Sequence, residues 1–300
     1  WSRKGTQFTL NGRTLVLRGN VDNGAFPQRG YPPMDVDAWK LRLQTYLDYG
    51  FNHVRFHSWC PPEAAFAAAD ELGTLLQVEN PMWIGDGRIS ADSARTAFIR
   101  AEAERIVDTY GNHPSFVLMS MGNELGSGLD PFLKELVEHL QRRDSRHSYT
   151  STTAPDNILR PDDYFVSAGP RWQHLRGDPR LEQKAPNTDF DYREYLAGID
   201  RPTIAHELGQ WTVYPDLNEG RKYTGSQQPR YLDLYQQSAE RNHIAGQIES
   251  FREASGKHMV ALYKEEIESV LRTPRIAGFQ LLALGDWPGF GPAFTGVLDT

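Results

Sequence analysis

The sequence lacks the features that mark several common classes of protein. It contains a single cysteine, Cys60, which excludes an intramolecular disulfide and a zinc cage built from cysteines. No apolar run approaches the roughly 20 residues that a membrane-spanning helix requires, and the first residues do not have the pattern of a signal peptide. We therefore predict no membrane partner for this chain.

Basic clusters and phosphate-binding loops are also missing. The net charge is −7, and no group of lysines and arginines is dense enough to follow a nucleic-acid backbone, so we predict no nucleic-acid partner. Neither a Walker pattern nor G-x-G-x-x-G occurs where a strand meets a helix. No predicted strand end carries a lysine, which disfavours Schiff-base chemistry. No cluster of possible ligands predicts a metal, and we predict no cofactor.

Short apolar segments alternate with longer amphipathic ones, which is typical of an α/β protein with a mostly parallel sheet. A short N-terminal β-hairpin over Phe8–Leu17, with Asn11-Gly12 at its turn, leads into the first strand. The other predicted strands are Asn52–His57, Thr74–Glu79, Phe116–Met121, Ser148–Thr152, Tyr164–Ser167, Thr203–Ala205 and Arg275–Leu284. The predicted helices are Asp35–Tyr49, Pro61–Leu72, Ser90–Tyr110, one starting at Asp130, and Pro229–Leu271. Eight strands with intervening helices predict a single (β/α)8 TIM barrel over residues 1–300.

Two glutamates each follow an apolar, strand-like run. Glu124 closes Phe116-Val-Leu-Met-Ser-Met-Gly-Asn-Glu124, and Glu207 lies in Arg201-Pro-Thr-Ile-Ala-His-Glu-Leu-Gly-Gln-Trp211. By strand count they end the fourth and seventh barrel strands, and the carboxyl ends of barrel strands share one mouth. Two carboxylates about 5–5.5 Å apart are what retaining glycoside hydrolysis needs. The alternative is that both are ordinary glutamates in loops or salt bridges.

Charged and polar residues also occur on the second and third predicted strands. Arg55 and His57 lie two residues apart, so both side chains should face the barrel interior. We expect Arg55 to restrain a nucleophile and His57 to bind a hydroxyl, with a buried structural pair as the alternative. Glu79 ends the third strand and is either a hydroxyl ligand or the carboxylate partner that a buried arginine requires. His53 lies at the beginning of its strand and is predicted to be structural.

The residues around Glu207 and in the loops are less informative. His206-Glu207 begins like a zinc-protease motif, but Gln210 occupies the position of the second histidine. On a regular strand, the side chain of His206 should point away from that of Glu207. Aromatic residues in loops can contact a sugar, although packing is the more common role. The loop candidates are Trp83, Trp172, His174, Trp211 and Tyr214.

Several segments resemble the catalytic barrel of glycoside hydrolase family 2. They are Phe8-Thr-Leu-Asn-Gly-Arg-Thr-Leu-Val-Leu-Arg-Gly19, Phe51–His57 with Pro61-Pro62 and Ala69–Gly73, Gly111-Asn-His-Pro-Ser-Phe-Val117, and Gly122-Asn-Glu124. This family belongs to a clan of retaining β-glycosidases with catalytic carboxylates after strands four and seven. The resemblance implies that Glu124 is the acid/base and Glu207 the nucleophile. It also implies that Asn123 binds the sugar 2-hydroxyl.

Other segments depart from the family pattern. The family has a Trp-rich stretch after strand eight, which here reads Leu284-Gly-Asp-Trp-Pro-Gly-Phe290. The resemblance makes Trp287 the candidate sugar platform and Asp286 a candidate hydroxyl ligand. The segment from His206 to Trp211 differs from the commonest galactosidase and glucuronidase versions. The resemblance therefore indicates the class of reaction and leaves the sugar open.

The resemblance implies a retaining exo-β-glycosidase, similar to β-galactosidases or β-glucuronidases, that acts in polysaccharide degradation. It would hydrolyse terminal β-linked sugars of an oligosaccharide or glycoside through a covalent glycosyl-enzyme. The alternatives are a clan member with endo activity or a different sugar, and an inactive carbohydrate-binding barrel. Flanking β-sandwich domains and a periplasmic or secreted location are further implications. Because the chain opens at Trp1 rather than Met, we expect a piece cut from a longer protein.

Overall fold

The computed structural model describes residues 1–83, 93–155, 158–167, 175, 185, 187–282, 284–287 and 296–299. A three-stranded antiparallel sheet comes first, formed by β1 (Ser2–Lys4), β2 (Gln7–Leu10) and β3 (Arg13–Leu15). Eight parallel strands follow. They are β4 (Leu17–Asp22), β5 (His53–Phe56), β6 (Leu75–Glu79), β7 (Phe116–Ser120), β8 (Ser148–Thr150), β9 (Phe165–Ser167), β10 (Thr203–Gly209) and β11 (Gly278–Leu282).

The eight parallel strands form a barrel. Their order is β8-β7-β6-β5-β4-β11-β10-β9, so consecutive strands are neighbours and the last strand pairs with the first. The remaining gap between β8 and β9 is bridged by a parallel pair of Thr153 and Val166, and Ala154 N donates to Val166 O at 2.8 Å. The predicted TIM barrel is confirmed. Glu124 follows β7, the fourth barrel strand, and Glu207 lies near the end of β10, the seventh.

Helices cover the outside of the strands. The described ones are α1 (Val36–Asp48), α2 (Glu63–Leu72), α3 (Ser93–Tyr110), α4 (Asp130–Arg143), α5 (Arg230–Arg241) and α6 (Ile248–Arg272). The predicted helical region Pro229–Leu271 is divided into two helices, and His243 between them has a φ of 56°. The described residues between β8 and β9 contain no helix. Of the helices described, none is both long enough and apolar enough to cross a membrane.

The N-terminal sheet covers the amino end of the barrel. Asn11 and Gly12 have φ values of 50° and 77°, as a two-residue hairpin turn requires, so the predicted hairpin is present as β2 and β3. Phe8 is fully buried, with its ring 4.7 Å from that of Trp1 and 6.1 Å from that of Tyr164. It packs with apolar residues at the starts of the barrel strands, among them Leu17, Leu75, Val117, Ile204 and Ala277. The amino end of the barrel is therefore covered, and a functional site is expected at its carboxyl end.

Gly209 is a position where an added methyl group should destabilise the barrel. It ends β10 with a φ of 97°, and a Cβ atom there would overlap the ring of Tyr263 in α6. Tyr263 is buried and its hydroxyl donates to Leu282 O at 2.8 Å, so the ring cannot easily move away. We expect Gly209→Ala to lower the free energy of unfolding by about 3 kcal/mol, through overpacking and backbone strain.

Gly198→Ala is the matched control for this substitution. Gly198 has a φ of 94°, but a Cβ atom there would meet nothing within 4 Å. Gly198→Ala should lower the free energy of unfolding by about 1 kcal/mol, the strain of a left-handed residue that is not glycine. Urea denaturation measures both variants, and equal losses would show that the contact with Tyr263 is unimportant.

Candidate active site

Backbone hydrogen bonds hold Glu124 just beyond the end of β7. Asn123 N donates to Met82 O at 3.0 Å on one side, and Glu124 N donates to Thr153 O at 2.8 Å on the other. Glu124 has a φ of 51°, and its side chain is exposed. Such left-handed conformations are rare for residues other than glycine and are concentrated at functional sites.

Glu207 lies in an irregular part of β10. The register with β11 shifts between Ala205 and Leu208, which marks a β-bulge, and Glu207 has a φ of 45°. The bulge breaks the alternation of side chains, so the expectation that His206 points away from Glu207 is wrong. His206 Nε2 lies 3.3 Å from Glu207 Oε1, and both side chains are buried.

The two glutamates approach each other closely. One carboxylate oxygen of Glu124, one of Glu207 and a ring nitrogen of His206 all lie within 4.8 Å of one another. Within the described part of the chain, this is the group whose spacing could hold a metal ion. Arg55 Nη1 donates to Glu207 Oε1 at 3.2 Å, and this fixed positive charge disfavours a metal cation at the same carboxylate. The geometry therefore fits a pair of carboxylates better than a metal centre.

Arg55 connects several parts of the site. It is fully buried on β5, and its Nε donates to Glu79 Oε1 at 2.7 Å. Its Nη2 donates to Asn123 Oδ1 at 2.5 Å and to Thr153 Oγ1 at 2.9 Å. Glu79 is itself fully buried, so each charge of this pair compensates the other. Glu79 was predicted to be either a hydroxyl ligand or the partner of Arg55, and these contacts make it the partner of Arg55.

A network of neutral groups continues from Glu79 into the barrel interior. Gln77 Nε2 donates to Glu79 Oε1 at 3.2 Å, and Gln280 Nε2 donates to Gln77 Oε1 at 2.9 Å. Gln280 Nε2 also lies 3.0 Å from His53 Nε2, while His53 Nδ1 lies 3.0 Å from Leu75 O. Burial lowers the pKa of His53 to about 4, so the ring is neutral. The ring of His53 is thus held inside the barrel by Leu75 and Gln280.

The pKa values of the two glutamates shift in opposite directions. Although Glu124 is exposed, partial loss of hydration at its carboxyl group and the negative charge of Glu207 raise its pKa. Burial alone would raise the pKa of Glu207. The neighbouring His206, His57 and Arg55 outweigh that effect and lower it below the usual range. Because burial lowers the pKa of His206 to about 4, the permanent positive charge near Glu207 comes from Arg55.

Aromatic rings form one wall beside the two glutamates. His57 Nε2 lies 3.5 Å from Glu207 Oε1, and a hydrogen bond from Trp83 lowers the pKa of Glu124. The ring of His57 meets those of Trp83 and Trp287 at 5.0 and 5.1 Å. The two indoles stack on each other at 5.7 Å. All three rings line a cavity of about 340 Å³.

The curated proteins that match this chain include β-galactosidases. No family model matches the chain. It is similar to a β-galactosidase of Lactococcus lactis subsp. lactis, with 22% identity over 213 residues. That match covers 68% of this chain and 20% of the relative. The chain thus spans about a fifth of the length of this curated relative.

Solved structures share the fold over nearly the whole chain. A family 2 β-galacturonidase from Eisenbergiella tayi, bound to galacturonate, aligns with a TM-score of 0.65 and 17% identity, covering 94% of this chain and 46% of that one. A β-glucuronidase from Ruminococcus gnavus aligns with a TM-score of 0.68 and 16% identity, covering 95% and 46%. The resemblance to a family 2 catalytic barrel is confirmed.

Three other candidates for substrate binding have described contacts with further parts of the chain. Asp286 Oδ1 accepts a hydrogen bond from Gly296 N at 2.7 Å, and Asp286 lines a second cavity of about 680 Å³. Trp211 packs against the main hydrophobic core. Tyr214 packs edge-on against Tyr235 at 5.3 Å. Their roles toward a substrate stay predictions. The candidates outside the described residues are Trp172 and His174.

Two polar residues of the candidate site were not found from the sequence. Thr153 Oγ1 lies 2.7 Å from Asn123 Oδ1, and Gln210 Nε2 donates to Glu207 Oε2 at 3.3 Å. Thr153 follows β8 and Gln210 follows β10. A search for polar residues after every predicted strand, rather than for carboxylates alone, would have found both.

Proposed function

We propose that this barrel is a retaining β-glycosidase. The observation that carries the proposal is the close approach of Glu124 and Glu207, which place one oxygen each within 4.8 Å of the other. Retaining enzymes hold their carboxyl groups about 5–5.5 Å apart, whereas inverting enzymes need about 6.5–9.5 Å to admit a water molecule. The pKa of Glu124 is raised and that of Glu207 is lowered, which is the direction that an acid and a nucleophile respectively require.

In the first step, the carboxylate of Glu207 attacks the anomeric carbon while the bond from that carbon to the glycosidic oxygen breaks. Glu124 gives its proton to the departing oxygen, so the leaving group is released as a neutral alcohol. The product is an ester between Glu207 and the sugar, with inverted configuration at the anomeric carbon. Arg55 contributes by keeping Glu207 ionised and oriented before the attack.

In the second step, water hydrolyses the ester between Glu207 and the sugar. Ester formation removes the negative charge of Glu207, which is one cause of the raised pKa of Glu124. The pKa of Glu124 should therefore fall, so that its carboxylate can accept a proton from water. The resulting hydroxide attacks the anomeric carbon, the ester bond breaks, and the sugar leaves in its original configuration.

Asn123 is suited to bind the 2-hydroxyl of the sugar. It is 1% exposed, and its Nδ2 has no hydrogen-bond partner among the described residues. A buried donor without an acceptor costs free energy unless a ligand supplies one. A hydroxyl next to the anomeric carbon would supply that acceptor, and such a bond strengthens in the transition state.

The range of sugars in this proposal comes from the relatives. Their names describe a β-galactosidase, a β-galacturonidase and a β-glucuronidase, so we propose terminal β-linked hexoses or hexuronic acids as substrates. An exo mode of attack is part of the same proposal and rests on the resemblance. Flanking β-sandwich domains in the complete protein are proposed on the same ground.

Mechanism-based labelling tests the proposal. Aryl β-galactosides and β-glucuronides with fluorine at C2 should inactivate the protein, because fluorine slows hydrolysis of the glycosyl ester. Peptide mass spectrometry should locate the label on Glu207. With unlabelled substrates, NMR should show the β-anomer as the first product. An α-anomer would contradict retention, and a label on another carboxylate would contradict the assignment of Glu207.

A further inference from the structure

The side-chain oxygen of Asn123 has an unusual number of neighbours. Arg55 Nη2 and Thr153 Oγ1 lie 2.5 and 2.7 Å from Asn123 Oδ1. His206 Nε2 lies 3.1 Å from the same oxygen, and His206 is only 4% exposed. The amide nitrogen of Asn123 has no partner within the described residues. One end of the amide is therefore held from three directions, while the other end is available to a ligand.

These contacts determine which ring nitrogen of His206 carries the hydrogen. The guanidinium of Arg55 has donors only, so the atom of Asn123 that faces it must be the oxygen. An amide oxygen only accepts hydrogen bonds, so His206 Nε2 must be protonated to contact it. The tautomer of His206 therefore follows from the position of Arg55, through the orientation of the amide between them.

Each donor to the side-chain oxygen of Asn123 also has another acceptor within reach. Thr153 has a single hydroxyl hydrogen, and Gly122 O and Glu79 Oε1 also lie within 3.4 Å of its oxygen. Arg55 also donates to Glu79 and Glu207. His206 Nε2 lies 3.1 Å from Asn123 Oδ1 and 3.3 Å from Glu207 Oε1, so a hydrogen on this nitrogen can reach both acceptors. His206 thus ties the amide to the carboxylate proposed as the nucleophile.

We propose that His206 is a positioning residue, whose Nε2–H holds the Asn123 amide so that Nδ2 meets the 2-hydroxyl of the bound sugar. This inference rests on the proposed function, since it assumes that Asn123 binds that hydroxyl. The β-bulge between Ala205 and Leu208 makes the contact possible, because a regular strand would turn His206 to the opposite face from Glu207.

Substrates that differ only at C2 test the inference. The probe is 4-nitrophenyl β-galactoside or β-glucuronide, whichever the wild type hydrolyses, together with its 2-deoxy counterpart. His206→Phe should lower kcat/KM about 100-fold on the hydroxylated substrate and less than about tenfold on the 2-deoxy one. His206→Gln should recover part of the preference for the 2-hydroxyl, because its amide can still donate.

His147→Phe is the matched control. His147 is also buried, but its Nδ1 lies 2.7 Å from Phe116 O at the amino end of the barrel. Replacing this imidazole should leave the ratio of kcat/KM between the two substrates unchanged. If His206→Phe lowered kcat/KM equally on both substrates, its role would be merely structural and the inference would be overturned.

NMR separates this inference from the proposed function. Nitrogen chemical shifts of His206 report its tautomer without any substrate, and at pH 7 the hydrogen should be on Nε2. A hydrogen on Nδ1 alone would overturn the inference whatever the activity. If the wild type hydrolysed neither glycoside, the proposed substrates would be wrong, and the tautomer would then decide for or against the positioning of Asn123.

Discussion

Glu207→Ala should lower kcat on an aryl β-glycoside by roughly 10⁴-fold or more while the barrel stays folded. The substitution removes the group that forms the covalent bond, and it opens a space beside the anomeric carbon. Added azide should enter that space, attack the anomeric carbon directly and restore part of the turnover. Because only one displacement then occurs, the product should be the α-glycosyl azide.

Glu124→Ala is the matched control, because it removes the other carboxylate. In that variant Glu207 still forms the ester, and azide should replace water in the second step to give the β-glycosyl azide. Glu194→Ala, at an exposed position, should leave kcat unchanged. Proton NMR of the products distinguishes the two anomers. A folded Glu207→Ala variant that azide fails to rescue would count against Glu207 as the nucleophile.

Arg55→Met should lower the free energy of unfolding by about 3–5 kcal/mol, because it removes one partner of a buried ion pair. Arg55 and Glu79 are both fully buried, so the substitution leaves the carboxylate of Glu79 without its counter-charge. It also removes a donor to Asn123 and one to Glu207. Chemical denaturation followed by circular dichroism measures the loss.

Arg193→Met is the control for removing an arginine that has a carboxylate partner. Arg193 pairs with Asp191 at 2.5 Å, but its side chain is 67% exposed. Water compensates the loss of such a pair, so the expected change is at most about 1 kcal/mol. Adding Glu79→Gln to Arg55→Met should recover part of the stability, since the fully buried side chain at position 79 then carries no unpaired charge. Equal losses for Arg55→Met and Arg193→Met would refute the buried-pair argument.

The sequence by itself determined the barrel and the location of its two strand-end glutamates. Apolar runs of strand length recur between amphipathic helices, and this periodicity depends only on neighbouring residues. The turn at Asn11-Gly12 is equally local, because these residues readily adopt positive φ values. Once eight parallel strands close, Glu124 and Glu207 must lie at the same end.

Only the tertiary structure decided how the polar groups of the site pair. The sequence left two roles open for Glu79, and its contact with Arg55 joins residues on neighbouring strands. Strand alternation predicted the wrong direction for His206, because a bulge and a left-handed Glu207 reverse it. Neither is encoded in the local pattern of apolar residues. Their conformational cost is offset by buried contacts between residues far apart in the chain, which exist only after the barrel has closed.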